Sequence, residues 1–468
     1  MPGPEHDALG AGRALSPLDA LLKDPPADRV EVFLVRRSGG YARCARSRIH
    51  QSAEETSLSI SVRAALGRKV GAASTNRLTP EALRGALEDA VRAARVSPEA
   101  DHLGPVAEPW DAPDAAGGPD GPADGETAAF GAAGRAEALS RAFGIAAERG
   151  QTIAGVFGTW GEERAAANTA GLRAYAARTF AETILIAEGD RDGNYTPSGY
   201  AHGLSPRVGD LDLAALAGRA VRKCALSVSP RTLDPGRYTV LLEPPCVAEV
   251  LEWMSFIGLG AQAHLDGRGF MSGRIGEKIS GGSFSLRDDG EDKEGLPIPF
   301  DAEGNPKRPV DLIENGIARG PAMDSAQASR ARAASTGHAA SLDLSVESLP
   351  RNLFVDPGGT ALDDLPAGIE RGVWVTRFHY VNGLLHPPTA LMTGMTRDGT
   401  FWVEDGKIQH PLYNLRFTQG LLEAFGNIRA MSRERERVGA SWEGGVTCVV
   451  PAMLIDDFQV TGGMPAAE

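Results

Sequence analysis

Short bursts of alternating apolar and polar residues run along this chain, separated by stretches in which apolar positions recur every three or four residues. The first spacing suits a pleated strand and the second one face of a helix. Residues 29–36, with Val30, Val32, Phe33, Leu34 and Val35, predict a strand that Gly39-Gly40 turns. Residues 57–63 alternate cleanly, and a turn at Gly67 leads into a further strand over 67–76. Thr79-Pro80-Glu81 then supplies an N-cap, a proline at the first helical position and an early acid, with Leu83, Leu87, Ala90, Val91 and Ala94 on one face. Residues 104–125 are mostly Pro, Gly, Asp and Ala and predict a flexible, disordered insertion. A helix over 129–149, strands over 152–160, 162–167 and 171–187, a polar loop over 190–198 and a helix over 210–226 follow.

The second half is richer in strands. Tyr238 to Leu242 reads as a buried strand ended by Pro244-Pro245, and residues 246–259 as a helix with Val247, Val250, Leu251 and Met254 in its apolar stripe. Residues 371–418 carry the densest signals. A strand over 372–381 meets a turn at Asn382-Gly383, and a strand over 391–397 meets a two-residue hairpin turn at Asp398-Gly399, with 400–404 as the returning arm. Asp405-Gly406 closes that unit, short strands at 407–409 and 414–418 follow, and residues 419–428 form a capping helix. Arg and Glu alternate over 433–437, which predicts an exposed, self-neutralising helix end, while Cys448 lies within a strand over 446–450. The predicted class is α+β: a polar lead over 1–26, an N-terminal α+β domain over 27–228, and a β-rich, antiparallel, barrel-like C-terminal domain over 229–468.

At 468 residues the chain is long enough for two or three domains. A net charge of -13 argues against a nucleic-acid partner, because phosphate backbones are bound by clustered Lys and Arg. No apolar run is long enough for a bilayer, and residues 1–12 lack a secretory pattern, so neither a membrane nor export is expected and the predicted location is cytoplasmic. Cys44, Cys224, Cys246 and Cys448 are scattered without CxxC spacing, as buried thiols would be.

Candidate chemistry is sparse. His264, His379, His386 and His410 each stand without a partner at ligand or triad spacing, which favours structural or surface roles. Ser335-Thr336-Gly337-His338 puts hydroxyls near an imidazole, but no G-x-S-x-G elbow accompanies it. The glycines over 267–282 lack a Walker lysine, and the acidic run over 288–292 lacks a full calcium-loop ligand set.

Thr396-Arg397-Asp398-Gly399, Glu404-Asp405-Gly406-Lys407-Ile408 and Asn414-Leu415-Arg416-Phe417-Thr418 follow in order after Phe300-Asp301-Ala302-Glu303-Gly304-Asn305-Pro306, Asp311 to Gly316 and Ser335 to His338. This succession resembles the C-terminal half of the TldD/PmbA family, whose members are associated with peptide and protein degradation. In the family's zinc-bearing members the helix after the strand carries His-Glu-x-x-x-His, with a Cys near the C-terminus as third ligand. Laid on this chain without gaps, that pattern puts Leu251 and Phe256 at the histidine positions and Glu252 at the carboxylate. None of the nine histidines is followed by Glu, and Cys448 falls past the third position in the matching region, 441–448.

The resemblance therefore implies a PmbA/TldE-like member with no catalytic residue, metal or cofactor of its own, Glu252 being a relic. Its implied partners are a zinc-bearing TldD-like subunit and an extended, unfolded peptide. Arg377, Tyr380, Asn382, Thr396, Arg397 and Asp398 are the expected peptide-binding residues, with Arg397 and Asp398 equally suited to tying a hairpin. The alternatives are a non-enzymatic peptide-binding or regulatory protein of the gyrase and toxin modulator type, and a hydrolase of another chemistry.

Overall fold

Residues 8–111, 123–191, 195–343, 348–439 and 446–463 are described by the computed structural model. The alternation in the first half is spent on one antiparallel sheet of β1 (Arg29–Ala45), β2 (Arg48–Leu66), β3 (Lys69–Thr75), β4 (Thr152–Asn168), β5 (Arg173–Glu188) and β6 (Ser198–Ser205). Its spatial order is β3-β2-β1-β4-β5-β6. Val30, Val32 and Leu34 of β1 face the helices Gly10–Leu21 and Pro80–Val96, and Ala42 and Cys44 face the helices Ala132–Ala147 and Leu213–Leu226. Phe33 and Val35 point the other way, onto Phe300, Ala302 and Ala339 of the second half. Both faces are covered, which is why residues 32–35 of β1 read as an unbroken apolar run. Thr79 caps the helix Pro80–Val96 by accepting the Ala82 N–H, as its sequence predicts.

Three expectations for this half change. Gly39-Gly40 makes no turn: β1 runs straight through, paired with β2 on one side and β4 on the other. A Cβ on Gly39 would stand 2.1 Å from the Thr159 carbonyl oxygen, so the glycine marks a close strand approach. The polar lead contains the helix Gly10–Leu21, which buries Ala14, Leu15 and Leu18. The insertion is ordered at its start, where Ala107 is buried and Trp110 Nε1 donates to the Gly304 carbonyl at 2.9 Å; residues 112–122 lie outside those described.

The second half builds β7 (Gly236–Leu242), β8 (Leu286–Asp288), β9 (Val310–Glu314), β10 (Ile317–Ala318), β11 (Asn352–Val355), β12 (Arg371–His386), β13 (Leu391–Glu404), β14 (Lys407–Pro411), β15 (Leu415–Gly420), β16 (Ile428–Gly439) and β17 (Thr447–Gly463). Strands β17, β15, β13, β12 and β7 pair in succession, and β7 pairs back to β17, so these five close a ring. Phe378, Phe417 and Phe458 pack together at ring-centroid separations of 4.5 Å for the first pair and 5.6 Å for the second. The pairing is antiparallel except for β7 with β12 and β11 with β17. Each of those pairs joins segments far apart in the chain, as parallel strands require.

The meander also differs in its turns. Asn382-Gly383 stays inside β12, and the reversal is made by the tight turn Pro387–Thr389. Asp398-Gly399 stays inside β13. Val375 pairs with Thr400 and Arg377 with Arg397, which leaves Asp398 and Gly399 opposite Thr376 alone: a β-bulge, with φ of 54° and 123° at the two residues. Asp405-Gly406, with φ of 47° and 74°, is the turn into β14. Residues 433–437 lie in β16 and not in a helix, because Arg435, Glu436 and Arg437 pair with β17.

Candidate functional site

Strand β7 delivers the chain to Pro244, whose missing N–H costs nothing at a helix start. In the helix Pro244–Met254, Val247, Val250, Leu251 and Met254 sink into the large core of the second half. Pro245, Ala248, Glu249 and Glu252, spaced by three, one and three, form the opposite face and open onto a cleft between the two sheets. Tyr200 and His202 of β6, Arg377 of β12 and Cys448 of β17 complete it, leaving about 50 Å³ of free space. That admits a water or two, not a side chain.

Two carboxyl groups dominate this cleft. Burial pushes Glu249 up to about 7, against the opposing pull of Arg377 and the Val381 backbone N–H. Burial, reinforced by the charge of Glu249, pushes Glu252 up to about 7 as well. Arg377 Nε donates to Asp398 Oδ2 at 2.7 Å, and its guanidinium carbon lies 4.7 Å from the Tyr200 ring centroid. Asp398 Oδ1 accepts from Ser198 Oγ at 2.7 Å, so the bulge in β13 is tied to the start of β6. His202 Nε2 lies 3.2 Å from Glu182 Oε1, whereas its buried Nδ1 has no hydrogen-bond partner. The Cys448 thiol is 3.9 Å from the Ala248 carbonyl oxygen, and burial raises its pKa well above the usual thiol range, with Glu252 adding to the effect.

These groups do not fit a zinc ion. Zinc takes imidazole nitrogen, thiolate or carboxylate oxygen, and at least three such groups must converge on it. Leu251 is 0% exposed in apolar surroundings, and Phe256, 51% exposed, sits in the π-helical turn Ser255–Leu259 against Trp253. Among the described residues no three His, Cys, Asp or Glu side chains converge as a metal site.

Of the residues singled out from sequence, the fold brings Glu252, Cys448 and Arg377 into one cleft. Glu249 was missed, although its spacing of three from Glu252, away from the apolar stripe, is the signal that finds it. Thr396 is buried, its hydroxyl accepting from the Leu415 N–H and the Thr400 hydroxyl, each at 2.8 Å. Tyr380, Asn382 and Arg397 are exposed, Tyr380 to 83%, and Asn382 Oδ1 accepts from the Leu384 N–H at 2.8 Å. His338 is buried, with Nδ1 2.9 Å from the Thr336 hydroxyl and Nε2 2.8 Å from Asp288. That hydroxyl already accepts the Met323 N–H at 2.7 Å, which suits a structural tie. Residues 441–445 lie outside those described.

Residues 235–462 match the PmbA/TldA metallopeptidase C-terminal domain, and residues 30–94 match PmbA/TldA metallopeptidase domain 1. The chain is similar to a metalloprotease PmbA homolog of Buchnera aphidicola, at 23% identity over 60% of this chain and 58% of that one. It spans about half the length of the curated relatives it matches. Its fold is that of TldE from Thermococcus kodakarensis, at TM-score 0.85 and 20% identity over 97% of this chain and 100% of that one. A Thermotoga maritima protein described as a candidate modulator of a DNA gyrase superposes at TM-score 0.79 and 18% identity, over 92% and 96% of the two chains.

Proposed function

Because the chain belongs to the PmbA/TldD metallopeptidase family, we propose that it is the non-zinc, PmbA/TldE-like subunit of a peptidase pair. In this reading it holds an extended, unfolded peptide while a zinc-bearing TldD-like subunit cuts it. One observation carries the reading: the helix face that opens onto the cleft offers Ala248, Glu249 and Glu252, and no imidazole. In this reading Glu252 is a carboxylate without a metal-bound water to deprotonate, and the catalytic groups belong to the partner.

Peptide binding is assigned to the arm formed by β12 and β13. Tyr380, Asn382 and Arg397 face solvent there, and Arg377, Thr396 and Asp398 hold the bulge beneath them. Leu384, Leu385 and Phe256 add exposed apolar surface, which suits a partner or an unfolded chain. Strand β14 pairs only with β13 among the described strands, and such an edge accepts a peptide through main-chain hydrogen bonds without regard to its sequence. No helix among the described residues is long and apolar enough to cross a membrane. With four free, buried cysteines, this supports a cytoplasmic pair.

The test is to purify the chain alone and with a partner bearing His-Glu-x-x-x-His, then to measure zinc content and cleavage of an unfolded peptide. Cleavage and zinc are expected only with the partner. Stoichiometric zinc and activity in the lone chain overturn the proposal. A pair that binds peptide without cutting it favours the regulatory alternative, which the likeness to the Thermotoga protein supports.

A further inference from the structure

A second cavity, of about 300 Å³, lies between the face of the first sheet that carries Phe33 and the loops of the second half, and it shares no residue with the cleft at Glu249 and Glu252. Phe33, Ile298 and Phe300 give it an apolar wall, and exposed Ser57 stands at its mouth. Arg37, Arg164, Lys307 and Arg351 bring positive charge to it. The acids nearby are already committed. Glu162 is shared by Arg37 at 3.2 Å, Arg164 at 2.9 Å and Arg178 at 2.9 Å. Asp288 accepts from the backbone N–H groups of Arg351 at 2.6 Å and Asn352 at 2.8 Å, with His338 Nε2 also 2.8 Å away. Asp301 accepts the N–H groups of Glu303, Asn305 and Ala339, all at 2.9 Å, while burial and the charge of Glu303 raise its pKa.

Two donors are left over. Lys307 Nζ, on a side chain only 5% exposed, has no hydrogen-bond partner, Asp288 Oδ1 being 3.7 Å away. The buried Arg351 Nε has none either. Burial lowers the Lys307 pKa against the pull of Asp288, and the buried Arg351 N–H has no acceptor, so both groups gain from an acceptor placed in the space they line.

We infer that this cavity binds a small organic carboxylate, its oxygens taking the free N–H groups of Lys307 and Arg351 and its apolar body lying against Phe33, Ile298 and Phe300. The volume suits a molecule the size of an acylated amino acid. The apolar wall favours such a ligand over inorganic phosphate, which has nothing to bury there. The inference stands apart from the peptidase reading, because it uses neither the cleft nor the arm of β12 and β13.

The experiment titrates N-acetyl-leucinate, the neutral N-acetyl-leucinamide and inorganic phosphate into the full chain, reading heat and thermal shift. Saturable binding of N-acetyl-leucinate is expected, with the amide silent and phosphate at least about tenfold weaker. Lys307→Met and Arg351→Gln are each expected to weaken it by about tenfold or more. The second variant carries the test if the first does not fold. The inference is overturned if no saturable binding is seen, if acid and amide behave alike, if phosphate binds as well or better, or if Arg351→Gln leaves the affinity unchanged.

Discussion

Replacing Glu252 by Gln is expected to make the protein more stable at slightly alkaline pH. The side chain is 8% exposed, and burial with the neighbouring Glu249 raises its pKa from 4.5 to about 7. Between those two values the folded protein holds the proton more tightly than the unfolded chain does, so stability is complete below 4.5 and declines as pH rises through about 7. A rise of that size is worth about 3 kcal/mol of lost stability once the group is ionised. Gln keeps the shape and removes the charge but buries an amide at a cost of about 1 kcal/mol or more. The net gain is therefore about 1–2 kcal/mol near pH 8, shrinking to nothing or reversing near pH 5. Urea unfolding of both proteins across that range measures it. A variant with the wild-type pH slope, or one less stable than wild type near pH 8, would refute the argument.

Four further outcomes are expected. Arg63 bridges Glu31 at 2.7 Å and Glu303 at 2.9 Å with all three side chains buried, so Arg63→Met leaves two buried carboxylates and should cost about 3–5 kcal/mol in denaturant unfolding. Gly71→Ala puts a methyl 2.3 Å from the Ala90 carbonyl oxygen, which lifts the helix Pro80–Val96 off β3 and should cost about 1–3 kcal/mol; an unchanged melting temperature contradicts this. Asp398→Asn removes the charge that Arg377 and Ser198 both hold, and a loss of about 2–4 kcal/mol with faster proteolysis near β13 is the expected reading. Burial pushes Cys44 up to about 11 and Cys224 up to about 12, so native protein should be inert to a thiol reagent such as DTNB until it unfolds; prompt labelling of either cysteine argues against the packing described.

Local pattern was enough for elements whose structure is decided by their own residues. Thr79-Pro80-Glu81 started a helix because cap, proline and early acid act within one turn. The alternation over 57–63 became β2, and Gly67 turned it, for equally local reasons. Gly39-Gly40 and Asp398-Gly399 were misread because a glycine that permits a turn and one that permits a close approach or a bulge look alike in sequence. Which of these occurs depends on the strand opposite: Thr159 for Gly39, and Thr376 for Asp398 and Gly399. Alternating charge over 433–437 is likewise silent on helix or strand until β17 lies beside it.

The lack of imidazole on the helix after β7 was fixed by sequence, since no fold can give Leu251 or Phe256 a lone pair for zinc. The sequence also carried the family resemblance through motifs spread over residues 300–418. Only the tertiary structure showed that Glu249 shares the cleft with Glu252 and Cys448, and that Lys307 Nζ and Arg351 Nε lack hydrogen-bond partners on residues that line a second cavity. These facts concern surroundings supplied by distant strands. A residue's type is written in the chain, but its solvent, its charge neighbours and its unmet hydrogen bonds exist only after the two sheets have closed on each other.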